Sequence, residues 1–182
     1  MRKNLKARYG GGWVLVTGAS DGLGKCYSEE FAKMGFNIVL VGRNLEKLNQ
    51  VGKQLRQLNA AILTKTIVFD FSTLSTQESV EELERLLFKE LEDRDISILV
   101  NNVGCTFFGK LEAHSVNDCM RQVNVNINAQ TFMTRFMLPK FLKRERSGII
   151  DISSICALQN GSENLPVYAA TKAYNRAFSK SI

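Results

Sequence analysis

The stretch Val14-Leu15-Val16-Thr17-Gly18-Ala19-Ser20-Asp21-Gly22-Leu23-Gly24 sets the fold class. Three apolar residues read as a short buried strand. The glycines at 18, 22 and 24 follow at once, and then Leu23, Cys26, Tyr27, Phe31 and Met34 recur at helical spacing. Strand, glycine turn and helix in that order give the glycines a purpose. Gly18 permits a tight exit from the strand, Gly22 lets the backbone approach a bulky anion, and Gly24 lets helix and strand pack closely. The free N–H groups that open the helix then face the same anion. An ordinary glycine-rich turn needs none of this context.

Outward from that stretch, β-branched runs alternate with longer helical patterns. Asn37–Val41, Ile62–Phe69, Ile96–Val100 and Ile149–Ile152 read as four more strands, most of them apolar on both faces. Such strands belong to a parallel sheet covered on both sides by crossover helices. The repeats Leu45, Leu48, Leu55, Leu58 and Val80, Leu83, Leu87, Leu91 are read as core faces of two such helices. A long helix is predicted from about Val116 to near Lys143, interrupted or ended around Pro139. A last one starts near Pro166, a residue suited to the first turn. The 182 residues carry no repeat, low-complexity segment or Pro/Gly/Ser-rich linker, so 1–182 reads as one domain with a basic start over 1–11.

Bulk composition excludes several functions. The net charge of +6 is densest at Arg2, Lys3, Lys6 and Arg8 and from Lys140 to Arg146. No basic stripe alternates with stacking aromatics, so a small anionic ligand fits better than nucleic acid. Cys26, Cys105, Cys119 and Cys156 show no metal-ligand spacing, and one histidine, His114, cannot build a histidine metal cluster. Reduced, partly buried thiols and a surface His114 are expected, as is a chain without a membrane span in its sequence.

Two further groups carry chemistry. Tyr168 and Lys172, four apart, fall on one face of the last helix, so an ammonium can favour the phenolate and lower a phenol pKa of about 10. Ser154 stands at the carboxyl end of the fifth strand, where open α/β sheets bind ligands. The second strand ends Val41-Gly42-Arg43-Asn44, without the acid that holds the 2′-hydroxyl of NAD. Arg43 suits the 2′-phosphate of NADP instead. One charge-assisted bond of about 1.5–3 kcal/mol favours NADP about ten- to a hundredfold. The alternative is a solvated residue at a helix start. Asp70 closes the third strand and suits a cap of the next helix or turn.

With Asn101-Asn102-Val103-Gly104 and Ser153-Ser154 between the glycine loop and Tyr168, the chain resembles the short-chain dehydrogenase/reductase family. Tyr9-Gly10-Gly11-Gly12-Trp13 and Thr17 to Lys25 look like its branch of 17β-hydroxysteroid dehydrogenases and very-long-chain 3-oxoacyl-CoA reductases. The likeness runs from about Tyr9 to Lys180. It implies a Rossmann-type doubly wound parallel sheet, about five strands in the order 3-2-1-4-5, and a Ser-Tyr-Lys mechanism. In that scheme Tyr168, Lys172 and Ser154 are catalytic, with Asn126, rather than Asn124, supporting a proton relay. Thr17, Gly18, Ser20, Asp21, Gly22, Leu23, Gly24, Arg43, Asp70, Asn101, Asn102, Gly104 and Lys172 are the implied contacts of NADP(H).

The implied reaction moves a hydride between NADP(H) and a lipid ketone or alcohol, at the cytosolic face of the endoplasmic reticulum membrane. Membrane association through a segment ahead of Tyr9 and pairing of the two long helices between subunits are further implications. A cytosolic protein follows if the chain is complete as given. The resemblance also implies two more strands and a helix after Lys172, so the fold is expected to be C-terminally incomplete. The spacing from Ser154 to Tyr168 is one residue longer than usual, an insertion assigned to the loop Leu158 to Leu165. A nucleotide-binding or interaction module without turnover is the alternative function, and a dimerising scaffold a third.

Overall fold

Five runs of aliphatic and β-branched residues pair as parallel strands in the computed structural model, which describes residues 4–158 and 161–182. Arg2 and Lys3 of the basic start, and residues 159–160 of the loop assigned an insertion, lie outside the described residues. The strands are β1 (Trp13–Thr17), β2 (Asn37–Gly42), β3 (Thr64–Val68), β4 (Ile96–Asn101) and β5 (Gly148–Asp151). Their order across the sheet is β3-β2-β1-β4-β5. The chain reverses direction across the sheet between β3 and β4. The carboxyl ends of β1 and β4 therefore flank the crevice where such sheets take ligands.

The helices are α1 (Leu5–Arg8), α2 (Gly22–Lys33), α3 (Leu45–Leu58), α4 (Gln77–Leu91), α5 (Val116–Val123), α6 (Ala129–Phe141) and α7 (Pro166–Ser181). Strand alternation sorts the core into two layers. Val14, Val16, Ile38, Leu40, Ile98 and Val100 meet Phe31 and Ala32 of α2 and Leu48, Val51 and Leu55 of α3. On the other face Leu15, Val39, Val41, Ile67 and Leu99 meet Leu83, Leu87 and Leu91 of α4 and Met133, Met137 and Phe141 of α6. Each such aliphatic side chain contributes about 1.5–3 kcal/mol on burial. β4 is buried along its whole length, whereas all four residues of the edge strand β5 are only half-buried.

Several expectations need correction. Leu23, Met34, Leu45 and Leu58, read as core, are 43–60% exposed; they stand at the ends of α2 and α3, where Leu23 lines a cleft instead of packing on the sheet. Helix α6 passes through Pro139 and ends at Phe141. So close to its end, a proline removes one backbone bond and leaves no long helix to break. The irregular turn lies earlier, at Asn124–Asn128, where the backbone widens to a π-helix between α5 and α6. Three asparagines tie that turn to neighbouring main chain: Asn124 Nδ2 donates to Ser72 O, Asn128 Nδ2 to Leu74 O, and Asn126 Nδ2 to Cys105 O. His114 is half-buried, with both ring nitrogens screened from solvent and without hydrogen-bond partners among the described residues, not a surface side chain. All four cysteines are free thiols.

Candidate active site

The end of β1 is stitched to the end of β4. Thr17 is buried, and its Oγ1 donates to Val100 O at 3.2 Å while accepting from the N–H groups of Asn102 and Val103 at 3.0 and 3.1 Å. Asn102 Nδ2 returns bonds to Thr17 O (2.9 Å) and Gly18 O (3.2 Å). This clamp brings the loop so close that a Cβ on Gly18, itself at φ +63°, would lie 2.9 Å from Val103 Cα. A Cβ on Gly24 would overlap the Gly18 carbonyl. Gly22 differs: at φ +52° it faces open space, a cradle beside the first N–H groups of α2. That is the geometry a dinucleotide pyrophosphate requires. Asp21 caps α2, its Oδ1 accepting from Gly22 N at 2.8 Å. That bond, with Lys47 and then Lys25 behind it, holds the carboxyl below the usual carboxylate range.

From this loop a cleft of about 760 Å³ runs past Gly42–Arg43 and Asp70 to Asn102–Gly104, then on to Ser154, Tyr168 and Lys172. Gly18, Ser20, Asp21, Gly22 and Leu23 line its near end. Thr17, Gly24, Asn101 and Asn126 stand behind its wall. Asn101 Nδ2 bonds Thr134 Oγ1 (2.9 Å) and Asp151 Oδ1 (2.8 Å), tying β4 to α6 and β5. Asp70 faces the cleft and also caps the short turn at Phe71–Thr73, accepting from Ser72 N at 2.9 Å. Burial pushes its carboxyl up, but hydrogen bonds from Ser72 and the charges of Arg43 and Arg121 outweigh that, leaving it below its ordinary value.

At the far end, Pro166 opens α7, which turns Tyr168 and Lys172 to the cleft. Lys172 is 4% exposed; its Nζ donates to Ile152 O at 2.8 Å and lies 5.8 Å from the centre of the Tyr168 ring. Burial pulls this ammonium below the usual lysine range, with Cys105 a smaller opposing influence. Ser153 Oγ donates to Lys172 O, fixing α7 against the end of β5. Ser154 Oγ accepts from Cys156 N at 3.2 Å and lines the cleft. Asn126 lies between these parts: its Oδ1 accepts from Cys105 N at 2.8 Å, and its Nδ2 also bonds Thr171 Oγ1 at 2.9 Å. A Cβ on Gly104 would sit 3.4 Å from Asn126 Oδ1 and 3.5 Å from Lys172 Nζ, so both side chains converge on that glycine. Asn175 Nδ2 donates to Asn126 O at 2.6 Å across the widened turn.

Sequence reasoning overlooks Cys105, Arg121 and Val125, which also line the cleft. Cys105 directly follows the Asn-Asn-Val-Gly turn, a position that signals its place. Burial pushes its thiol up against the pull of Arg121, Arg43 and Lys172. Arg121 and Val125 carry no sequence signal, since only the packing of α5 and of the widened turn after it brings them to the cleft. The whole arrangement offers a phosphate cradle, an exposed guanidinium, and a phenol beside a buried ammonium, all opening on one space.

A family profile described as short chain dehydrogenase matches residues 12–182. A very-long-chain 3-oxoacyl-CoA reductase-like protein of Arabidopsis thaliana is 39% identical over 183 residues, covering 99% of this chain and 56% of the relative. The human protein named inactive hydroxysteroid dehydrogenase-like protein 1 is 37% identical over 186 residues, covering 100% and 53%. The chain thus spans about half the length of these curated relatives. A short-chain dehydrogenase from Sphingobium yanoikuyae, solved in complex with NADPH, superposes with a TM-score of 0.81 at 27% identity, covering 93% of this chain and 63% of that one.

Proposed function

The chain belongs to the short-chain dehydrogenase family, and on that premise we propose that it is an NADPH-dependent carbonyl reductase acting on a lipid ketone. The observation that carries this reading is the single cleft joining the glycine cradle to Ser154, Tyr168 and Lys172. Gly22 and the opening N–H groups of α2 would hold the pyrophosphate, Arg43 the 2′-phosphate and Asp70 the adenine end. Asn102, Gly104 and Lys172 would border the nicotinamide ribose. When bound, NADPH supplies the hydride.

This chain's own residues manage the carbonyl and its proton. The Ser154 hydroxyl donates to the carbonyl oxygen and orients it. The Tyr168 phenol then delivers a proton to that oxygen as negative charge develops there, which is general acid catalysis. The Lys172 ammonium, poised against the Tyr168 ring, favours the phenolate left behind. Asn126 anchors the Cys105 main chain and so fixes the Gly104 wall against which Lys172 rests.

The substrate class, a 3-oxoacyl-CoA or a 17-ketosteroid, draws support from the names of relatives such as the Arabidopsis reductase-like protein. Location at the endoplasmic reticulum membrane and pairing of subunits belong to the same proposal by family resemblance. No helix among the described residues is long and apolar enough to cross a membrane. A second reading, nucleotide binding without turnover, is favoured by the word inactive in the human relative's name.

Replacing Tyr168 by Phe separates the two. Reduction of a long-chain 3-oxoacyl-CoA or a 17-ketosteroid, followed as NADPH consumption, should fall at least about a thousandfold, within the range of general acid catalysis. NADPH affinity should stay within about twofold. A Tyr168→Phe protein that still turns over sinks the mechanism. A wild-type protein that binds NADPH and reduces neither ketone class supports the second reading.

A further inference from the structure

The loop after β1 lies directly against the end of β2, because Ala19 N donates to Val41 O at 3.2 Å. Ser20 and Asp21 therefore stand beside Gly42 and Arg43, and all four line the cleft. Next to them opens a smaller cavity of about 180 Å³ that shares Ser20 and Asp21 and is ringed by Lys25, Lys47 and Gln54. Helix α3 also begins here, with Asn44 Oδ1 accepting from Lys47 N at 2.9 Å, so its positive end faces the same place.

The charges of this corner are unevenly committed. Arg43 is exposed, and Asp70 feels its charge across the cleft. Lys25 leans toward Glu29 at 3.8 Å, and Lys47 reaches Asp21 Oδ2 at 3.6 Å. With Asp70 as the third carboxylate, three cations face three carboxylates and no positive charge is in excess. Asp21 lines the cleft on the glycine-loop side, as Asp70 does across it, and a carboxylate there repels a phosphate held at Arg43 but hardly affects a hydroxyl.

Resting on the assignment of the cleft to NADP(H), we propose that Asp21 is an internal opponent of the 2′-phosphate and that Lys47 offsets it, so this pair sets the degree of preference for NADP(H) over NAD(H). Arg43 attracts the phosphate, and the Asp21–Lys47 pair decides how much of that attraction survives. An ordinary surface ion pair that merely steadies the loop would instead affect phosphorylated and unphosphorylated nucleotides alike.

The test is titration calorimetry at low ionic strength with adenosine 2′,5′-bisphosphate and with 5′-AMP, on wild-type protein and three variants. Asp21→Asn should raise the affinity ratio of the bisphosphate over AMP about three- to tenfold, the size expected for one charge acting across several ångströms of wet surface. Lys47→Ala should lower it by a similar factor, and the double variant should return near the wild-type ratio. An unchanged or lowered ratio in Asp21→Asn overturns the proposal, as does equal weakening of both nucleotides in the two single variants. Wild-type protein that binds neither nucleotide would show instead that the cofactor assignment itself has failed, and the charge proposal would fall with it.

Discussion

The nucleotide half of the cleft is walled by backbone, the chemical half by side chains. Around the glycine loop the contacts are made by Gly18, Gly22, the first turn of α2 and the Thr17–Asn102 clamp, at the fully buried centre of the sheet. Around Tyr168 the parts come from β5, α5, α7 and the widened turn before α6, and the supporting strand is a half-buried edge. Backbone geometry set by glycine admits almost no substitution at its tightest points. Side-chain geometry built on an edge tolerates change in packing but loses function with single atoms. Binding and chemistry should therefore fail independently, and mutations placed in each half can show whether they do.

The largest effect on folding is expected at Gly24. Its absent Cβ is all that lets α2 approach the Gly18 carbonyl and Asn102, so Gly24→Val should cost about 3 kcal/mol or more and abolish NADPH binding. Urea unfolding followed by circular dichroism measures this. A folded Gly24→Val protein that binds NADPH normally would break the comparison.

Centre and edge should also differ in packing. Leu15 is fully buried on β1, so Leu15→Ala should cost about 3 kcal/mol, within the usual range for a buried leucine. Ile150, half-buried on β5, should cost about 1 kcal/mol on the same change. Equal costs would mean that the edge is packed as firmly as the centre.

The smallest stability effect, with a total functional one, belongs to Lys172. Its buried ammonium is unfavourable to folding, so Lys172→Met should leave the nucleotide-free protein unchanged or more stable by about 1 kcal/mol, while ending turnover. The pH dependence follows from the lowered pKa. Below 10.5 the unfolded lysine keeps its proton, and the folded one releases it at a lower pH. Across that window the unfolded state binds more protons, so wild-type stability rises with pH relative to Lys172→Met. Denaturant melts from pH 7 to pH 10 should show the two curves converging from below; parallel curves would mean the lysine is not desolvated.

The strands, the glycine loop and the first turn of α7 are legible in the sequence because each rests on local rules of strand pattern, glycine freedom and proline placement. The doubly wound order β3-β2-β1-β4-β5 matches what the family resemblance implies. What escapes the sequence is decided by distant partners. Periodicity marks the apolar faces of α2 and α3 but not which end residues those faces leave uncovered, hence exposed Leu58 and Leu23, the latter lining the cleft. Pro139 draws the eye as a helix breaker, yet Asn124, Asn126 and Asn128 widen the turn through bonds to segments 21 to 54 residues away. Arg121 and Cys105 meet Asp70 and Lys172 only in three dimensions.

The central claim is that this cleft takes a 2′-phosphorylated dinucleotide, and thermal unfolding with saturating NADPH or NADH tests it most directly. A ligand that binds only the folded chain raises the midpoint. The account predicts one cooperative transition, raised by both nucleotides and further by NADPH at equal concentration. An equal shift with both, or a larger one with NADH, would contradict it.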